Sequence, residues 1–189
     1  MSNPSKVFYA KTREDWRVWL KKNHKKEDKV GLIRYKKHTG KPSPIHREAR
    51  EEAICFGWID TTIKRIDDKK YVINFVKRSK NGRWSNNTLR YAKELEKQGK
   101  MFPAGLSAYK LGLSRPTHDF GIPVDPIIPS DLVEILSKTK TSKNFDSFSQ
   151  SYKRTLLRWL FRAKLSETRK KRIDAIVNFA KNNNKKTKY

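Results

Sequence analysis

Apolar residues recur at helical spacing early in the chain, switch to alternation in the middle, and return to helical spacing over the last third. Trp16, Trp19 and Leu20 share one helical face and Thr12 can cap it, so a helix is expected to run to about His24. The segment KVGLIRY (29–35) reads as a strand and KKHTGKPSP (36–44) as a loop. Ser43 followed by Pro44 reads as an N-cap and first-turn pair. The helix it opens places Ile45, Ala49 and Ala53 on one face and turns Glu48, Glu51 and Glu52 to water, with Gly57 as its stop. WIDTTIKRI and KYVINFV flank the turn-rich DDKK (67–70), the pattern of a β-hairpin whose Tyr71, Ile73 and Phe75 share a face. After the basic loop KRSKNGRW (77–84), Ser85 caps a helix to about Gln98, ended by Gly99, and MFPAGLSAYKL forms a short helix entered at Pro103.

Residues 113–129 carry four prolines and no periodicity, which marks a linker or an ordered crossing loop. Everything beyond is helical. Ser130, Ser149 and Ser166 are the expected caps of three helices, held by Leu132, Leu136, Leu156, Leu160, Ile173 and Val177, with Trp159 as the expected anchor. The pattern therefore divides the chain into an α+β domain (1–112), the Pro-rich segment (113–129), a small helical module (130–184) and a basic tail (185–189).

Charge changes this picture more than size does. The chain holds 45 Lys plus Arg against 19 Asp plus Glu, a net charge of +26, and its C-terminal part is the denser in positive charge. A field of that size attracts polyanions, although a lysine-rich surface that merely solvates the protein is the plainer reading. Aromatics at 11% argue against a disordered chain. A single Cys leaves no internal disulfide, the N-terminus lacks a signal-peptide core, and no apolar run reaches the ~20 residues of a membrane span. A cytoplasmic protein is the expectation.

Candidate chemistry is sparse. In EEAICFGWID (51–60), Glu51 and Glu52 would raise the Cys55 pKa, and so would the C-terminal end of a helix dipole. Cys55 is therefore expected to be buried and structural, at a corner where Gly57 turns, Trp58 and Ile59 enter the sheet, and Asp60 bonds the adjoining loop. His24, His38, His46 and His118 lack metal-ligand spacing; His24 and His46 are assigned to helix ends or solvent. Asp67 and Asp68 are sufficiently explained by a turn. No phosphate-cradling glycine loop is present, so no cofactor is expected, and neither is catalysis.

Two basic clusters remain. Lys77, Arg78, Lys80 and Arg83 precede Trp84 in the loop, where cations beside an exposed aromatic would hold phosphates and stack a base; core packing is the favoured role for Trp84 itself. Farther on, Arg154, Arg158 and Arg162 line one helical face, and Arg169, Lys170, Lys171 and Arg172 follow. Glu167 is the only acid between Lys153 and Ile173, which leaves the stripe either solvated or awaiting a polyanion. An Arg158–Glu167 ion pair within the module is weighed evenly against binding.

The motifs EEAICFGWID, NGRWSNNTLR, GKMFPAGLSAY, IPSDLVEIL and LLRWLFRAKLSETRKKRI, in that order, resemble the YdeI/OmpD-associated or bacteriocin-protection family from about Val7 to Val177. The chain departs from the family pattern at Thr61, at Val76-Lys77-Arg78 and at Thr88. The resemblance implies an N-terminal frataxin- or YjbR-like α+β domain with a hairpin sheet, followed by a helical module, and no established reaction. Two functions are expected from these readings. The first is a non-enzymatic protein that binds nucleic acid through phosphate contacts with little sequence reading. The alternative is a stress or antimicrobial-peptide protection protein that acts through an envelope or acidic protein partner.

Overall fold

A computed structural model describes residues 6–182. The chain forms two compact units, divided between Thr117 and His118. The expected basic tail at 185–189 lies outside the described residues.

The first unit is α+β. Its elements are β1 (Val7–Tyr9), α1 (Arg13–Asn23), β2 (Lys29–Tyr35), α2 (His46–Cys55), β3 (Trp58–Arg65), β4 (Lys70–Lys77), α3 (Asn86–Lys97) and α4 (Pro103–Leu113). The sheet order is β1-β2-β4-β3. Antiparallel pairing sets Leu32 opposite Ile73 and Asp60 opposite Phe75, with an irregularity in β3 between Asp60 and Ile63. β1 joins the edge in parallel, pairing Val7 with Gly31. Sequence reading missed it, because three residues of VFY carry too little period to separate strand from coil, and a parallel partner must be supplied by the fold.

α1 is fixed by a capping box: the Thr12 hydroxyl accepts from Asp15 N–H, and the Asp15 carboxylate accepts from Thr12 N–H at 3.0 Å. Its apolar face delivers Trp16 to Phe75 and Trp19 to Trp58, with ring centroids 5.2 and 6.1 Å apart. α2 begins later than Ser43-Pro44 suggested. Ile45 is the N-cap residue and its N–H is satisfied by Glu48, while the Ser43 hydroxyl accepts from Tyr35 N–H and ties the loop to β2.

Glu52 is also corrected, since it does not face water. It is 2% exposed and accepts from Arg13 Nε and Arg17 Nη1, each at 2.6 Å, which fastens α2 to α1. Glu51 is partly buried and pairs with Arg13 and Arg47. At the end of α2, Gly57 adopts φ +77, a left-handed turn that admits β3 directly. Gly105 of α4 sits so close to this end that an added Cβ would lie 2.1 Å from the Cys55 carbonyl oxygen.

The second unit is helical: α5 (Ser130–Lys138), α6 (Ser142–Asp146), α7 (Gln150–Phe161) and α8 (Ser166–Lys181). Leu132, Leu136, Leu156, Leu160, Ile173 and Val177 are buried together as expected. Trp159 is not the anchor: it is only half-buried, and the fully buried aromatic is Phe145 of α6. Sequence reading had assigned no element to 142–146, because five residues are too few to show a helical period. Pro129 and Leu165, not Ser130 and Ser166, occupy the N-cap positions of α5 and α8; only Ser149 caps as expected, accepting from Tyr152 N–H. The Pro-rich segment from His118 onward belongs to this unit, and its Ile128 packs on the helical core.

Candidate functional site

The arginine stripe of the second unit is where the strongest binding surface was expected, and its arginines already have acidic partners. Asp119 accepts from Arg158 Nη2 at 2.6 Å and from Arg162 Nε at 2.7 Å. Asp125 pairs with Arg154. Asp131 takes Arg169 through two hydrogen bonds, of 2.6 and 2.9 Å, the planar fork that guanidinium and carboxylate share. Arg162 and Arg158 hold the Asp119 carboxyl below the usual carboxylate range, and Arg169 does the same for Asp131. Arg172 donates to the Trp159 carbonyl and lies over its indole, 5.0 Å from the ring centroid.

The uncompensated stripe is therefore a correction. The acids come from residues 119–131, which precede the arginine-bearing helices in the chain. Glu167 pairs with Lys171 at 2.6 Å, not with Arg158. The missed signal was present: Asp119, Asp125 and Asp131 recur every six residues through an otherwise almost uncharged, proline-rich stretch. Lys170 is exposed.

The basic loop divides differently. Lys77 meets Asp28 at 3.6 Å, and Lys80 and Arg83 are exposed. Trp84 is 3% exposed, as its core reading required, and α4 lies against it so closely that a Cβ on Gly112 would sit 2.5 Å from the indole nitrogen. It offers no free face for a base. Arg78 stacks on Trp84 with its guanidinium carbon 3.7 Å from the ring centroid, and its backbone N–H donates to Gly57 at 2.9 Å. Its buried Nε has no hydrogen-bond partner. Burial lowers the Arg78 pKa to about 10, opposed by the charge of Asp60. Asp60 is itself engaged by His46 Nε2 at 3.0 Å and lies 3.9 Å from Arg50. That contact also corrects the corner: Asp60 bonds back to the first residue of α2 and not to the adjoining loop.

The remaining candidates are structural. Cys55 is fully buried, and burial first, then Glu52, pushes its thiol up to about 11 against the opposing effect of Arg17. His24 closes the end of α1, with both its backbone N–H and its ring Nδ1 at the Leu20 carbonyl. Asp67 accepts from the N–H groups of Lys69 and Lys70, a turn role. Among the described residues no group of three or more His, Cys, Asp or Glu is placed to hold a metal ion, and no helix is long and apolar enough to cross a membrane.

Comparison with known families separates the same two units. Residues 8–108, more than half of the chain, match the family described as Domain of unknown function (DUF8412). The chain belongs to this family. Residues 125–183, most of the C-terminal helical unit, match a second family, Bacteriocin-protection, YdeI or OmpD-Associated. The resemblance expected from Val7 to Val177 is thus placed on the second unit, with the DUF8412 domain preceding it. No curated protein and no solved structure matches the chain.

Proposed function

We propose that this DUF8412 protein is a non-enzymatic protection protein whose YdeI/OmpD-associated module engages a protein partner. The observation that carries this reading is the internal pairing of Arg154, Arg158, Arg162 and Arg169 with Asp119, Asp125 and Asp131. Side chains committed to holding helices and the Pro-rich segment together are poorly placed to wrap phosphates. The name of the matching family, bacteriocin protection, supports a protective role. The inert Cys55 supports binding in place of nucleophilic chemistry. An N-terminal frataxin- or YjbR-like arrangement remains the finer reading of the first unit, supported by helices packed on a small, mostly antiparallel sheet.

The second reading, nucleic-acid binding, is favoured by the net charge of +26 and by exposed Lys80, Arg83, Lys170 and Lys171. Nuclease-treated affinity purification of the full chain separates the two. A specific protein retained after nuclease treatment, with survival under antimicrobial peptide lowered by gene deletion, supports the protection reading. Nucleic acid that co-purifies without nuclease, together with unchanged survival, overturns it in favour of the second.

A further inference from the structure

Beside the DUF8412 core lies a cavity of about 220 Å³ between the basic loop and α4, lined by Arg78, Ser79, Lys80 and Trp84 on one side and by Ser107, Ala108 and Leu111 on the other. We infer that this cavity is a binding site for a phosphate monoester carrying a small apolar group. This site is independent of the partner-binding role proposed above.

Arg78 is the core of the argument. A half-buried guanidinium ordinarily pairs with a carboxylate, because an unpaired charge with reduced access to water is costly. Arg78 instead has an aromatic face beneath it and a buried Nε without a partner, while the nearby Asp60 is already taken by His46. Stacking on Trp84 fixes the guanidinium plane, and the Gly57 carbonyl fixes its backbone, so the donors are set in place before any ligand arrives. The rest of the half-buried guanidinium lines the cavity, where it can donate to an anion.

The rest of the lining selects the anion. Arg78 and Lys80 bring two positive charges to one small space, which favours a dianion over a monocarboxylate. Ser79 and Ser107 add hydroxyl donors. Ala108 and Leu111 form an apolar wall that a bare phosphate would leave unused. The volume holds on the order of seven waters at ~30 Å³ each, enough for a phosphate with a short organic substituent and far too little for a nucleic-acid strand.

Calorimetric titration of the full chain at constant ionic strength, with phenyl phosphate, inorganic phosphate and benzoate as probes, tests the assignment. Phenyl phosphate should bind saturably at one site, at least fivefold more tightly than either of the other two. Arg78→Lys keeps the charge but loses the fork and the stack, and should weaken binding at least tenfold. Ser107→Leu, at an exposed position of α4, should weaken it similarly by filling the mouth, and it serves as the test if Arg78→Lys does not fold. Lys93→Gln/Lys97→Gln, on α3 away from the cavity, should bind as the wild type. Absence of saturable binding up to 10 mM, benzoate binding as tightly as phenyl phosphate, or unchanged affinity in Ser107→Leu would each overturn the proposal.

Discussion

Burial, Glu52 and Arg17 act on the Cys55 thiol in opposite senses, and burial is the largest of the three. With the pKa near 11, only roughly one thiol in ten thousand is ionised at neutral pH, so a thiol reagent should label Cys55 no faster than the protein unfolds. Labelling that is complete within minutes under native conditions would contradict this. The linkage follows with a definite sign. The unfolded thiol loses its proton near 9.0, whereas the folded one keeps it to about 11. Stability should therefore fall as pH rises through that window, and Cys55→Ala should remove this part of the alkaline loss while costing on the order of 1 kcal/mol near neutrality through its small cavity. The acids flanking Cys55 were legible as a pKa argument, but that Glu52 is itself buried was not, because its partners Arg13 and Arg17 lie some 35 to 39 positions away on another helix.

Among the elements, α6 matters beyond its length. Phe145 is fully enclosed by the helical core, so Phe145→Ala should cost roughly 3–5 kcal/mol, whereas Trp159→Ala, at a half-buried position, should cost clearly less. Chemical denaturation of the two variants gives the ranking, and the reverse order would return the anchor role to Trp159. The Pro-rich segment should reveal itself through acid. Asp119 is held below its ordinary pKa by Arg162 and Arg158, so its contribution is complete above the unfolded carboxylate range and is lost as pH falls through the lower folded value. Asp119→Asn should destabilise the helical unit by about 1–3 kcal/mol at pH 7, and the difference from wild type should shrink towards pH 3. A constant difference across that range would mean that the ion pairs contribute nothing.

For the whole molecule the question is whether +26 is a site or a solvated surface. If about five phosphates are contacted, the log–log salt slope on duplex DNA should be ~−4.5, and affinity should fall several-hundred-fold between 50 and 200 mM salt. The internal pairing predicts how substitutions divide. Arg154→Gln/Arg158→Gln/Arg162→Gln should lower the melting temperature of the helical unit by stranding Asp119 and Asp125, while Lys80→Gln/Arg83→Gln/Lys170→Gln/Lys171→Gln should leave melting nearly unchanged and take most of any polyanion affinity with it. A triple-arginine variant that melts like wild type yet no longer binds DNA would restore the arginine face as the site.

What the sequence determined by itself was local. The Thr12 cap of α1, Gly57 and Gly99 as helix stops, the hairpin around 67–70 and the alternating Ile73 and Phe75 depend on neighbours within a few residues, and they stand as read. The tertiary structure decided what depends on long-range approach: the parallel seat of β1, the burial of Glu52, the enclosure of Phe145, and the aspartates that meet the arginine stripe from 29 to 43 positions away. The stack of Arg78 on Trp84 belongs with these. The two residues are close in sequence, but the missing carboxylate and the facing wall of α4 exist only once the chain has folded, because a charge has a definite set of partners only when distant segments have been placed around it.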